Sequence, residues 1–163
     1  MTMIARSGAQ WHSGKEGDIM TFQYNDGGRA RAGYKGSTGD CACRAIAIAT
    51  ERDYQTVYNA LNVIAQGERV GKRKGRSNAR TGTYKYTIRK YLESAGWRWT
   101  PTMHIGSGCT VHLRASELPA GGLIVQVSRH LVAVINGVIH DTHDPSRNGT
   151  RCVYGYWSET KKG

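Results

Sequence analysis

One phenylalanine in 163 residues leaves the core to Ile, Val, Leu, Ala, Tyr and Trp. The first ten residues, Met1 to Gln10, lack the apolar run of a signal peptide, and no segment approaches the length of a membrane span. The four cysteines, at 41, 43, 109 and 152, show no regular disulfide spacing. Together these absences predict a cytoplasmic protein with unpaired thiols and no membrane partner. Acids are also scarce, 12 against 23 Lys and Arg, which leaves a net charge of +11. Gly67, Gly71 and Gly75 are followed by no Gly-Lys-Ser/Thr at the required spacing, which excludes a phosphate-binding loop. Asn148-Gly149-Thr150 matches a glycosylation sequon, but without a secretion signal it reads as a turn.

What the chain does have is centred on residues 39–50, Gly-Asp-Cys-Ala-Cys-Arg-Ala-Ile-Ala-Ile-Ala-Thr. After Arg44 this segment is apolar on every side, the pattern of a buried helix. Asp40 is the expected N-cap, which places Cys41 on the first turn. There the helix dipole and free backbone N–H groups favour a thiolate and can receive an oxyanion. A second helix is expected from Tyr54 to Ala65, capped by Asp53 or Thr50, because apolar residues recur at intervals of three and four. A third is expected over 84–95. Strand patterns follow at 21–24, 97–100, 110–113, 123–127, 131–135, 138–141 and 151–157, with a short helical turn at 114–119. Helices first and an antiparallel sheet after define an α+β class. The expected organisation is a flexible arm over residues 1–20, one domain over 21–157 and a tail over 158–163.

The charge is concentrated. Arg69, Lys72, Arg73, Lys74 and Arg76 lie in a loop over 68–82, and Arg80, Lys85, Arg89 and Lys90 follow, with Glu68 the single acid among residues 68–90. Such a block attracts acidic peptides or proteins, or nucleic acid.

Asn136-Gly137 is a strong two-residue hairpin signal, and it sets a register. Counting outward pairs Ile135 with Val138, Val134 with Ile139, Ala133 with His140 and Val132 with Asp141. Alternate residues share a face, so His130 and Asp141 become diagonal neighbours on one side of the sheet. Asp144 falls on the other face and reads as the start of a turn. Cys41, His130 and Asp141 thus form, in chain order, a nucleophile, a base and a group that orients it. Cys109 with His112, and His140 with His143, have zinc-like spacing. Residues three apart on a strand point to opposite faces, so neither a metal site nor a cofactor is expected.

Gly39-Asp40-Cys41 before an apolar helix, with the segment from His130 to Asp141 far downstream, resembles the papain-like cysteine peptidase fold over about residues 35–157. The similarity is greatest to its compact bacterial versions, the peptidase domains that trim double-glycine leaders and the NlpC-like cell-wall hydrolases. The chain is also similar to a group of small bacterial and phage-borne proteins, so a phage-encoded protein acting in its host cell is a further expectation. The resemblance implies a hydrolase with Cys41 as nucleophile, His130 as base and Asp141 as third member, acting on a peptide or protein substrate. Members of that family place an oxyanion-binding Gln shortly before the cysteine. Residues 35–40 contain none; of the nearby upstream amides, Gln23 and Asn25, Gln23 is the candidate, with the Cys41 backbone N–H as the alternative.

Overall fold

In the computed structural model, which describes residues 19–36 and 38–160, three helices stand against a six-stranded sheet. The helices are α1 (Cys41–Thr50), α2 (Tyr54–Ala65) and α3 (Lys85–Ser94). The strands are β1 (Thr21–Tyr24), β2 (Trp97–Pro101), β3 (Gly122–Val127), β4 (His130–Ile135), β5 (Val138–Asp141) and β6 (Gly155–Glu159). Their order across the sheet is β1-β5-β4-β3-β6-β2. The α+β class holds, but the sheet is mixed rather than antiparallel, because β1 runs parallel to β5, Thr21 opposite Val138 through Tyr24 opposite Asp141. The expected hairpin register is the observed one, with Ala133 opposite His140 and Ile135 opposite Val138. Asn136 and Gly137 both have positive φ, 49° and 79°, as the twisted two-residue turn requires.

Alternation along the strands builds two cores. Ile124, Leu131, Ala133 and Trp157 face α1, α2 and α3, packing against Ile46, Val57, Leu61 and Leu92. Leu123, Val125, Val132, Val134 and Ile139 face the other way, under Leu113, Leu118, Val153 and Met20. The second cover is irregular chain. Residues 110–113 form no strand; only His112 bridges, to Cys152, and the Glu117 carboxylate takes the His112 N–H at 2.8 Å and turns the chain into a 3-10 turn at Ala115–Glu117.

Cys109 and Cys152 are joined in a disulfide across 43 residues, with Cα atoms 5.9 Å apart. This corrects the expectation of unpaired thiols for these two and removes cysteine usage as evidence for a reducing compartment. Pairing depends on two distant segments meeting at the His112–Cys152 bridge, which sequence spacing does not reveal. Cys41 and Cys43 are free. The final strand runs to Glu159, so the expected tail shortens, and Thr160 N–H still bonds to Gly96 O at 2.7 Å. Most of the arm expected over 1–20 lies outside the described residues, but Met20 belongs to the core. No helix among the described residues is long and apolar enough to cross a membrane.

The basic loop is tied down rather than free. Its one acid points inward: the buried Glu68 carboxylate accepts the Ser77 N–H at 2.6 Å and the hydroxyls of Ser77 and Thr87. Asn78 caps the following turn through the N–H groups of Arg80 and Thr81, and Thr38 Oγ1 donates to Arg80 O at 2.7 Å. The turn thereby lies directly on Gly39. A Cβ at Gly39 would stand 2.9 Å from the Thr81 carbonyl carbon and closer still to its oxygen. Gly39→Ala is therefore expected to push the turn away and destabilise the protein by about 1–3 kcal/mol. Thermal unfolding should show Tm lowered by several degrees; an unchanged Tm would contradict the close approach.

Candidate active site

Helix α1 begins where β4 starts and β5 ends, and that convergence builds the site. Cys41 occupies the first position of α1 and is partly exposed. Arg44, one turn further and on the same side of the helix, is buried. Asp40 precedes both, but its side chain caps nothing. Asp40 holds the expected N-cap position, but its carboxylate, wholly buried, has stronger partners than the helix N–H groups: Arg44 Nε at 3.0 Å, Arg29 Nη1 at 3.1 Å and the Tyr54 hydroxyl at 2.6 Å. The first-turn N–H groups are left free of side-chain caps, and the turn opens into a cleft of about 320 Å³.

His130 and Asp141 meet as their register requires, with Nε2 of His130 2.6 Å from Oδ2 of Asp141. The other carboxylate oxygen, Oδ1, accepts from Arg44 Nη1 at 2.6 Å and from the Thr142 N–H at 2.7 Å. Arg44 thus bridges Asp40, which begins α1, to Asp141, which ends β5. With Nε2 committed to Asp141, Nδ1 is the ring nitrogen left for Cys41, which lines the same cleft as His130 and Leu131.

Electrostatics follow from these contacts. Burial pushes the Cys41 thiol up, but hydrogen bonding and charge from His130, the Leu131 amide and the Arg44 guanidinium outweigh it and hold the thiol below its ordinary value. Burial opposes charge on His130 too, yet Asp141 and Cys41 raise it to about 9. Asp141 resists burial in the same way, and His130, Thr142 and Arg44 hold it below the usual carboxylate range. Cys43, two residues along, lacks the imidazole: burial and the neighbouring Asp40 charge outweigh Tyr54 and Arg44 and push its thiol up to about 12. The two cysteines of one helix therefore differ in kind. Cys41 stands in the cleft with its thiol held below its ordinary value, and Cys43 is a core residue with its thiol raised.

Gln23 is not brought to this site. It lies on β1 opposite His140, exposed, with its amide on Tyr24 O at 3.4 Å. The reason is the parallel pairing of β1 with β5, which carries the residue to the sheet edge. Gln126 does line the cleft, but its Nε2 already donates to Val127 O and His130 O. The donors available to an oxyanion are the backbone N–H groups of the α1 first turn. The basic residues Arg69, Lys72, Arg73, Lys74 and Arg76 are exposed on their loop and do not line the cleft, whereas Lys85 and Arg129 do. Arg44 was visible in the sequence only as the one charge in a helix without a wet face, a signal that a buried acid must await it.

Of the two pairs with zinc-like spacing, Cys109 is in its disulfide, and His140 turns to Asn25, with Nδ1 3.3 Å from Nδ2. Ligand atoms of His130, Asp141 and the exposed His143 lie within 4.8 Å of one another, the His130 and His143 rings 5.1 Å apart. Both Asp141 oxygens are already engaged, by Arg44 and by His130, so an ion would have to displace a cation from each. No protein-family model, curated protein or solved structure matches this chain.

The pairing of Cys41 with His130 has a direct test. In the native protein, alkylation of Cys41 followed by peptide mapping should show an inflection well below the free-thiol pKa of about 8.5. His130→Ala should move that inflection up, because burial then acts without its counterweight. Cys43 should stay unreacted throughout; equal rates for the two cysteines would rule out the pair.

Proposed function

We propose that the protein is a cysteine hydrolase of peptide, isopeptide or related amide bonds, built on a papain-like arrangement. The observation that supports this most directly is the meeting of Cys41, His130, Asp141 and Arg44: Asp141 joins His130 to Arg44 through its two oxygens, and Cys41 and His130 line one cleft. The Cys41 thiolate attacks the substrate carbonyl, forming the S–C bond, while the oxygen's negative charge is received by the α1 first-turn N–H groups. Collapse breaks the C–N bond as the His130 imidazolium gives its proton to the leaving amine. Neutral His130 then removes a proton from water, whose oxygen attacks the thioester and releases the acid and the thiol. An amine in place of water would give acyl transfer through the same thioester. Asp141 holds the imidazole through Nε2, which keeps Nδ1 aimed at sulfur.

The exposed cations of the 68–82 loop support recruitment of an acidic partner. None of Arg69, Lys72, Arg73, Lys74 and Arg76 is in an ion pair among the described residues. The same observation supports the alternative of a binding module for nucleic acid or an acidic protein, and salt separates the contributions. Binding through the loop should weaken steeply with salt and be lost on joint neutralisation of Lys72, Arg73 and Lys74, with Cys41→Ala harmless. Flat salt dependence would remove the loop from recognition.

Hydrolysis itself is tested with a library of quenched fluorescent peptides. Cys41→Ala should abolish cleavage, by about 10³-fold or more, with Tm little changed. The pH profile has a sign that can be worked out. His130 must be protonated to expel the amine, and its pKa is raised to about 9, so activity should hold through neutral pH and fall as pH rises through about 9. Alkylation of Cys41 needs no proton donor and should not fall there. Cleavage that survives Cys41→Ala would remove this thiol from the mechanism.

A further inference from the structure

Two cations stand in the walls of the Cys41 cleft. Lys85, the first residue of α3, belongs to the wall formed by residues 81–85, and Arg129 belongs to the wall formed by the β3–β4 turn. The floor between them is apolar, with Ile88 and Leu131, and Gly39, Ala42 and Gly82 add almost no side-chain bulk. No acidic side chain lines the cleft, and neither Lys85 nor Arg129 is in an ion pair among the described residues. Neither position favours a cation for the sake of the fold. Lys85 sits at the positive end of a helix that has no acid in its first turn, and Arg129 occupies a left-handed backbone position, φ 58°, on an exposed turn. Placing two unpaired positive charges beside a nucleophile makes chemical sense if the bound group is negative.

From this we infer that Lys85 and Arg129 determine specificity, receiving carboxylate side chains on either side of the scissile amide, so that the substrate is a peptide segment with Asp or Glu flanking a small residue at the cleavage point. The inference rests on the hydrolase reading and deepens it. The cations on the 68–82 loop lie outside the cleft and act on a partner as a whole, whereas these two read the residues next to the bond.

Iodoacetate and iodoacetamide distinguish this inference from the reading on which it rests. Each alkylates a thiolate by forming the S–C bond as iodide leaves, and they differ in one carboxylate against one neutral amide. Rates at Cys41 would be measured by peptide mapping for the native protein, Lys85→Gln, Arg129→Asn and the double variant; Asn is chosen because it accepts the left-handed backbone. Arg98→Gln, an exposed charge on β2 remote from the cleft, is the control. The iodoacetate-to-iodoacetamide ratio should fall about two- to fivefold in each single variant and further in the double one, as for exposed ion pairs, and stay unchanged in the control. A ratio unmoved in the double variant overturns the role of these two cations and leaves the hydrolase reading standing. Failure of both reagents to alkylate Cys41 faster than Cys43 overturns the hydrolase reading itself. In the peptide library, the cleaved sequences should be enriched in Asp and Glu beside the cut, with the double variant raising KM far more than it lowers kcat; no enrichment contradicts the inference.

Discussion

The buried ion pair of Arg44 with Asp40 and Asp141 is the contact on which the site depends. One guanidinium spans the start of α1 and the end of β5, at 3.0 Å and 2.6 Å, and all three side chains are nearly or fully excluded from water. Desolvating three charges is costly, and well-packed apolar residues often do as well for stability. What such residues cannot do is hold a carboxylate in one rotamer. Arg44 and the Thr142 N–H occupy Oδ1 of Asp141, and that leaves Oδ2 as the single acceptor for His130. The geometry of the imidazole is thereby set by a residue that does not line the cleft. Deleting Arg44 alone would leave two buried carboxylates short of a partner, a change that typically costs about 3–5 kcal/mol.

Close approach of backbone completes what the ion pair begins. Gly39 lets the Thr81 carbonyl lie on the chain just ahead of Cys41, so the 78–83 turn becomes one wall of the cleft. Gly27, at φ 70°, performs the same service on the opposite side, where an added Cβ would come within 3.1 Å of Arg44 O. The helix that carries Cys41 is therefore gripped along its first turn by two loops, and Asp26 fixes the earlier one through the N–H groups of Gly28 and Ala30. Rigid support around an exposed thiol is what allows one hydrogen-bonded geometry to persist.

The sequence made legible those features that depend on near neighbours. Asn136-Gly137 specifies a turn, the turn specifies a register, and the register puts His130 diagonal to Asp141; every step is local to about a dozen residues. The apolar stripes of α2 and α3 and the cap of α2 are local as well, and Asp53 does accept the Thr56 N–H. Features decided by side chains that meet only once the chain is folded were not legible. Asp40 has the identity of an N-cap, but Arg29, Arg44 and Tyr54 compete for its oxygens and win. The parallel docking of β1 on β5, which carries Gln23 away from Cys41, joins segments more than 100 residues apart. The Cys109–Cys152 bridge and the burial of Glu68 are of the same kind.

The distribution of acids then explains how a basic protein can support a thiolate. Asp40, Glu68 and Asp141 are all buried and committed, each accepting hydrogen bonds from two or more donors. Charges spent inside do little to offset the cations outside, so the surface around the cleft is more positive than a net +11 alone implies. Near Cys41 that bias is reinforced by the His130 imidazolium and by Arg44, whose effects on the thiol are both downward. A positive environment lowers the cost of a negative sulfur and attracts a negative ligand by the same physics.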